Sequence, residues 1–365
     1  MLVFRFKSVW FSVLLIWAMM IIFSVVPVMA RTVTDLAGRT IKVPDSVGQI
    51  IALRGALSIV CYLDLVDRVV GVEHHEAVST RWVGSQGRPY RMANPQLGNL
   101  PIIGSRNKPQ PEKIIKLHPD IIFIGSGAIR IAKQLQRQTG IPVVVLDLGD
   151  LGAGRKRFFK SLQLVGEICK KEKRAKAVIG KIKECLVDFE QRTAGIPIEK
   201  RKEVYLGGIQ FKVAHGLLGT SRDYPPFELI HAENIVKSLP VKKKLIRGRM
   251  SIKRETFINL APEVIFICES GLELVSRELK EPLYRELPAI RAGKVYGLMP
   301  HYYATAPATV LAETYYIGKI LYPDRFQDIE IPELADTLYT FFVGCPLYKK
   351  MAKIFGGFKP LTEIQ

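Results

Sequence analysis

Four loops of this sequence combine cationic, imidazole and phenol side chains, and each is predicted to follow a strand of a parallel sheet. The side chains with the greatest potential for binding chemistry are those of Arg54, Glu73, His74, His75, Glu76, Tyr90, Arg91, Lys212, His215, Arg222, Tyr224, His301, Tyr302 and Tyr303. Loops at the carboxyl ends of parallel strands meet at one edge of a sheet, where open α/β proteins bind ligands. We therefore expect these loops to line a common cleft.

Arg54 directly follows the apolar run IIAL (50–53) and precedes a helix-like stretch. A guanidinium beside a helix N-terminus favours an anion, because backbone N–H groups there add to the attraction. A surface salt bridge explains the residue equally well.

The histidine pair His74–His75 lies between Glu73 and Glu76. Neutral imidazole and carboxylate suit transition metals. Neighbouring residues rarely converge on one ion, so we interpret the segment as a polar rim of the cleft. The segment RPYR (88–91) continues that rim.

Motifs of catalysis are absent from the sequence. It contains no G-x-S-x-G, no G-x-x-x-x-G-K-[ST] and no H-E-x-x-H, and GSGAIR (125–130) is an incomplete dinucleotide fingerprint. We therefore predict that the protein is not an enzyme and has no intrinsic cofactor.

The five cysteines are widely spaced and form no C-x-x-C, which argues against a metal knuckle or a redox pair. Their odd number leaves at least one thiol unpaired in a monomer. We expect Cys169, Cys185 and Cys268 to be buried apolar filler.

The formal net charge is +19, and the lysines and arginines are spread over the whole chain. The densest basic runs do not alternate with aromatic residues, as a nucleic-acid platform would. We interpret them as solvated helix faces and loops, and we predict no nucleic-acid partner.

Two halves of the chain alternate short apolar strands with helical stretches, which indicates parallel α/β sheets. A helix, a Pro with an acidic residue and a buried strand follow one another in LHPDIIFI (117–124) and again in LAPEVIFI (260–267). This repetition predicts a duplicated lobe. Between the copies, apolar residues at helical spacing over 172–193 predict a rod about 33 Å long, at about 1.5 Å per residue.

The N-terminus has the composition of a secretory signal peptide. Arg5 and Lys7 precede an uncharged run over 9–28, and VMA (28–30) offers a cleavage site. A retained membrane anchor is the alternative, since the run is long enough to span a bilayer. The predicted organisation is a signal peptide (1–30), an N-terminal α/β lobe (31–155), a helical linker with the bridging helix (156–198), a C-terminal α/β lobe (199–327) and a helical extension packed on the second lobe (328–365).

Several phrases occur in an order that is characteristic of one family. They are TVTDLAGRTIKVP (32–44), IIAL (50–53), DRVVGVE (67–73), LPIIG (100–104) and PEKIIKLHPDIIFI (111–124). From about Thr32 to Asp324 the chain resembles the periplasmic iron-siderophore and cobalamin binding proteins of ABC importers. The resemblance implies two Rossmann-like α/β lobes bridged by one long helix, with the ligand between them.

The same resemblance implies partners and a location. Glu112 and Glu255 occupy the positions of glutamates that dock on arginines of the permease, which works with a cytoplasmic ATPase. Acidic residues also favour the first turn of a helix for electrostatic reasons. The implied protein is a periplasmic monomer whose ligand is a metal chelate, either a ferric siderophore or a corrinoid.

The loops that are expected to line the cleft carry an excess of positive charge. The cations are Arg54, Arg88, Arg91, Lys212 and Arg222. They suit an anionic ligand, such as a siderophore, a corrinoid phosphate or an oxyanion. Binding of molybdate, tungstate or haem is the alternative within this class, and a membrane-tethered sensor or scaffold is the alternative of another class.

Overall fold

The computed structural model describes residues 30–77, 87–125, 127–210, 215–241, 245, 248–300 and 306–361. The predicted signal peptide lies outside these ranges except for Ala30. Within the described ranges, no helix has the length and apolar character that crossing a bilayer requires.

Fifteen strands are present in the described ranges. They are β1 (Ala30–Thr34), β2 (Thr40–Pro44), β3 (Ile50–Leu53), β4 (Val69–Gly71), β5 (Gly104–Ser105), β6 (Lys108–Pro109), β7 (Ile121–Gly125), β8 (Val143–Leu146), β9 (Glu203–Gly207), β10 (Gly219–Ser221), β11 (Glu233–Asn234), β12 (Arg249–Ser251), β13 (Val264–Cys268), β14 (Val295–Leu298) and β15 (Lys359–Pro360).

The α-helices of the same ranges surround these strands. They are α1 (Ala56–Tyr62), α2 (Pro89–Ala93), α3 (Pro111–Ile115), α4 (Ile129–Thr139), α5 (Arg155–Cys169), α6 (Glu172–Thr193), α7 (Pro225–Leu229), α8 (Arg254–Leu260), α9 (Leu272–Glu278), α10 (Pro282–Arg285), α11 (Pro288–Arg291), α12 (Pro307–Leu321), α13 (Ile331–Val343) and α14 (Tyr348–Phe355).

Two parallel sheets form the centres of two lobes, which confirms the predicted fold class. The first sheet has the order β4-β3-β7-β8, and the second has the order β11-β9-β13-β14-β15. The two repeated apolar runs are β7 and β13, and every residue of both is buried. Continuous burial is expected of parallel strands that are covered on both faces, so these runs lack the polar alternation of a half-exposed strand.

Two elements of the second lobe differ from the sequence predictions. The sequence predicts that a helix opens over 228–232, whereas the observed helix α7 already begins at Pro225, because the Pro225–Pro226 pair suits the first turn of a helix. The short strand β15 was not predicted, and it pairs antiparallel with β14 at the edge of the second sheet.

The long helix α6 spans the predicted residues and joins the lobes. Its buried stripe includes Val178, Ile182 and Phe189. The ring of Phe189 packs on that of Tyr315 in α12, with 4.5 Å between their centroids. The C-terminal end of the rod is therefore packed against the second lobe.

The C-terminal extension consists of α13 and α14 and contacts both lobes. Helix α13 packs on α12, and it also reaches α1 and α2 of the first lobe. The rings of Tyr62 and Phe342 meet edge to face, with 6.4 Å between their centroids. The prediction that this extension packs on the second lobe is therefore incomplete. The extension packs on the first lobe as well, because the apolar face of α13 is wide enough to contact both lobes.

All five cysteines lie in the described ranges, and none of them forms a disulfide there. Four are buried, and Cys345 is half-buried. Burial raises the pKa of Cys185 to about 11 and that of Cys169 to about 12. Thiols of this kind are inert filler, as the sequence predicted for Cys169, Cys185 and Cys268.

Candidate functional site

A strained turn lies at the carboxyl end of β3, in the centre of the first sheet. Arg54 has a φ of 54° and Gly55 a φ of 88°. The other non-glycine residues with positive φ in the described ranges are Asp64, His118, Lys170, His231 and Ala261. Those five follow helices, where a left-handed residue is a common way to end the helix. Arg54 instead joins a strand to a helix, so its conformation needs another explanation.

The turn at Arg54 is held from two sides. The backbone N–H of Arg54 donates to Oε2 of Glu73 at 2.7 Å. On the other side, a Cβ at Gly125 would overlap the carbonyl oxygen of Arg54. Glu73 follows β4 and Gly125 ends β7, so both neighbours of β3 support the turn.

The side chain of Arg54 is held by the tip of the β5–β6 hairpin. Its Nη1 donates to Oδ1 of Asn107 at 2.5 Å and to the carbonyl oxygen of Arg106 at 3.3 Å. Its Nε has no hydrogen-bond partner in the structure. Burial lowers the pKa of Arg54, and the charge of Arg106 lowers it further, whereas Glu73 opposes this. The charge of Arg106 also lowers the pKa of Glu73, so Arg106 acts on both residues at this edge of the sheet.

A buried network around Glu76 occupies the neighbouring loop. Nη1 of Arg88 donates to Oε1 of Glu76 at 2.6 Å, and the hydroxyl of Tyr90 donates to the same atom at 2.8 Å. Nε of Arg91 lies 3.1 Å from the other carboxylate oxygen. Burial alone would raise the pKa of Glu76, but the bond with His75 and the charge of Arg88 lower it overall.

This network changes the interpretation of the RPYR segment. Tyr90 and Arg91 are 3% and 8% exposed, and their polar groups are committed to Glu76 and nearby backbone. Both residues were predicted to contact a ligand. In the structure their polar groups support the loop instead. His75 remains half-buried above them, with Nε2 3.3 Å from Oε1 of Glu76, and His74 is exposed.

The second lobe places its predicted residues differently. Tyr224 is buried, and its hydroxyl donates to Oε2 of Glu313 at 2.9 Å, so it serves the packing of α7 on α12 instead of meeting a ligand. Arg222 donates to the carbonyl oxygen of Leu239 at 2.7 Å and is therefore used by the fold. His215 is half-buried. Lys212, His301, Tyr302 and Tyr303 lie outside the described residues.

The carboxyl edge of the first sheet borders the second lobe. The loop after β8 touches the second lobe, where a Cβ on Gly152 would lie 3.0 Å from Oε2 of Glu228 and 3.5 Å from Pro225. At the end of β9, the side-chain amide of Gln210 donates to the carbonyl oxygen of Ser270, which follows β13. Because β3 and β8 are parallel strands of one sheet, the Arg54 turn lies at the same edge as the loop that touches the second lobe.

Glu269 is a buried carboxyl group that the sequence analysis missed. It follows β13 and is 5% exposed, and neither of its oxygens has a hydrogen-bond partner in the structure. It packs against Gly297 and Gly356, where a Cβ would crowd the carboxyl group. Burial raises the pKa of Glu269 to about 8, and the charge of Lys359 opposes this rise.

The two predicted docking glutamates lie in matching positions. Glu112 is in the first turn of α3 and Glu255 in the first turn of α8. Both side chains are exposed. Each helix leads into the central strand of its lobe, so each glutamate lies at the carboxyl edge of its own sheet.

No group of three or more His, Cys, Asp or Glu side chains that could hold a metal ion is found in the part of the chain that the structure describes. The cluster at the edge of the first sheet is dominated by guanidinium groups. Its chemistry suits an anion better than a bare metal ion.

The sequence model of the periplasmic binding protein family matches residues 57–302. The chain belongs to this family. It is a periplasmic substrate-binding protein of the kind that serves ABC transporters. Among curated proteins it is 25% identical to the molybdate-binding protein MolA of Haemophilus influenzae, with 86% of this chain and 90% of that protein covered.

Proteins of the same fold whose structures have been solved bind different solutes. The structure of MolA bound to molybdate has a TM-score of 0.69 at 21% identity, covering 87% of this chain and 98% of MolA. The petrobactin-binding protein YclQ of Bacillus subtilis has a TM-score of 0.58 at 18% identity, covering 82% of this chain and 99% of YclQ. At these identities the likeness concerns the fold, and the ligand must be argued from the residues of this chain.

Proposed function

We propose that this protein captures an anionic solute in the cleft between its lobes and delivers it to an ABC importer. The observation that carries the proposal is the pair Arg54–Arg106 at the carboxyl edge of the first sheet. Both side chains offer charged N–H donors, and hydrogen bonds from guanidinium groups to an anion are among the strong ones. No salt bridge joins Arg54 to a carboxylate within the described residues.

A tetrahedral oxyanion of the molybdate or tungstate class is the ligand that we favour. The relative MolA binds molybdate, and an oxyanion of this class is one of the alternatives that the sequence predicts. A small oxyanion needs a few convergent N–H donors, and Arg54 has a buried Nε without a partner in the structure. This inverts the order of the sequence prediction, which put an iron chelate first.

An anionic iron chelate or corrinoid is the second candidate. Its support is the fold likeness to YclQ, which binds the siderophore petrobactin. The larger ligand would need more of the cleft, including the predicted residues Lys212, His301 and Tyr302. Docking on the permease through Glu112 and Glu255 is common to both candidates.

The test is a binding panel together with analysis of the native cargo. The exported protein is purified from its host, and any co-purifying molybdenum, tungsten or iron is measured by elemental mass spectrometry. Molybdate, tungstate, sulfate, a ferric siderophore and cobalamin are then titrated calorimetrically. We expect molybdate or tungstate to bind more tightly than sulfate. Binding of only a neutral solute would contradict the proposal.

A further inference from the structure

We infer that Glu73 and Gly125 are positioning residues that hold Arg54 in the orientation required for anion capture; this inference rests on the proposed function of Arg54. Neither residue was assigned this role by its sequence context. Each acts through Arg54 and contributes nothing to the ligand by direct contact.

The backbone of Arg54 is strained. A non-glycine residue at a φ of 54° is disfavoured, since Cβ approaches its own carbonyl oxygen in the left-handed region. Strain of this kind persists where the surrounding structure over-determines it, and it clusters at ligand clamps. A glycine would adopt the same turn without strain, so the presence of arginine points to a use for its side chain.

The buried carboxyl group of Glu73 holds the backbone of this turn. Glu73 is 2% exposed, and the backbone N–H of Arg54 is the donor to its Oε2. Burying a carboxyl group is costly, and burial raises the pKa of Glu73 although the charge of His75 opposes the rise. The bond fixes the peptide before Arg54, and with it the direction in which the side chain leaves β3.

The absence of a side chain at Gly125 leaves room for the Arg54 carbonyl oxygen. Gly125 ends β7 and pairs in register with Leu146 of β8, so a larger residue would suit the strand itself. The carbonyl oxygen of Arg54 occupies the space that its Cβ would take. Glycine is therefore required at position 125 because of the turn at Arg54. The backbone conformation of residue 125 does not itself require glycine.

The test is a double-mutant cycle with sodium molybdate as the probe. Glu73→Ala removes the acceptor, and we expect the affinity to fall by about tenfold or more, whereas Glu73→Gln keeps an acceptor and stays within about threefold of wild type. In an Arg54→Ala background, Glu73→Ala should change the affinity by less than about twofold. Equal losses in both backgrounds, or a Glu73→Gln variant as weak as Glu73→Ala, would overturn the inference.

A second measurement does not depend on the ligand. Crystal structures of Glu73→Gln and Gly125→Ala are compared with wild type at residue 54. We expect the glutamine to preserve the turn and its contact with Asn107, and the alanine to move it. An unchanged turn in Gly125→Ala would refute the inference. Failure of Arg54→Ala to weaken binding would instead refute the proposed function and leave this structural test decisive.

Discussion

The guanidinium of Arg174 lies over the ring of Phe341, with 5.0 Å between Cζ and the ring centroid. Its Nη2 donates to the carbonyl oxygen of Phe341 at 2.6 Å, and its Nε donates to that of Tyr62 at 3.0 Å. One side chain of the bridging helix α6 thereby joins α1 of the first lobe to α13 of the extension. The lobes are therefore connected by two elements, α6 and α13, instead of by α6 alone, which favours small rocking motions over wide closure.

Replacing Arg174 with alanine should loosen this junction. The variant loses two hydrogen bonds to backbone carbonyls and a cation–π contact, so we expect the free energy of unfolding to fall by about 2 kcal/mol. Urea denaturation measures it. The adjacent exposed Lys173→Ala should change it by less than about 0.5 kcal/mol. Equal stability of Arg174→Ala and wild type would show that the junction contributes nothing.

Stability should fall as the pH rises from about 5 to 8. The pKa of Glu269 is raised to about 8 in the folded protein, against an ordinary value of 4.5. Between these values the unfolded chain has released a proton that the folded chain retains. The free energy of unfolding therefore decreases with pH across this window, by at most about 1.4 kcal/mol per pH unit from this group.

Glu269→Gln isolates that contribution. The amide cannot ionise, so the variant should lose the part of the pH slope that comes from this position and gain stability relative to wild type at pH 8. Chemical denaturation at pH 5, 6.5 and 8 measures the difference. The exposed Glu273→Gln serves as a control that leaves the slope intact. A variant with the wild-type slope would contradict this account of Glu269.

Because Arg54 is strained, we expect a substitution that relieves the strain to maintain or raise stability and to weaken anion binding. Arg54→Gly relieves the left-handed conformation, and we expect the free energy of unfolding to stay equal or to rise by up to about 1 kcal/mol, while anion affinity falls. Thermal denaturation and calorimetric titration measure the two effects. Arg130→Ala, an exposed cation on α4, should leave anion affinity unchanged. A glycine variant that is less stable than wild type would speak against strain.

The matched glutamates predict a separation of transport from binding. Glu112→Ala combined with Glu255→Ala removes one carboxylate from each lobe, so transport by the reconstituted importer should be abolished while ligand affinity is unchanged. The pair Glu199→Ala and Glu286→Ala removes two exposed carboxylates elsewhere and controls for net charge. Normal transport by the first pair would refute the docking role.

The elements of the fold were predictable where hydrophobic pattern alone decides them. Runs of β-branched residues located β7 and β13, and apolar spacing located α6 to the residue. The position of α13 was not predictable, because its wide apolar face does not say which neighbours will cover it. Strand β15 has two residues and includes Pro360, so its sequence carries no strand pattern.

The candidate site was predictable only in part, since burial and pairing decide which charges remain for a ligand. Arg88 and Arg91 look the same in sequence as Arg54, yet both are buried and form ion pairs with Glu76. Arg106 was missed because the hairpin brings it to Arg54 from a distant part of the chain. The adjacent Asn107, typical of a tight turn, was the one sequence signal that could have placed it at a hairpin tip.

Our main proposal is that Arg54 and Arg106 bind an anion in the cleft. Its most direct test is calorimetric titration of molybdate into wild type, Arg54→Ala and Arg106→Ala at low and high salt. The account predicts binding that weakens as salt rises and that falls by about tenfold or more in each variant, consistent with the loss of a charged hydrogen bond. Affinity that is independent of salt and unchanged in both variants would contradict it.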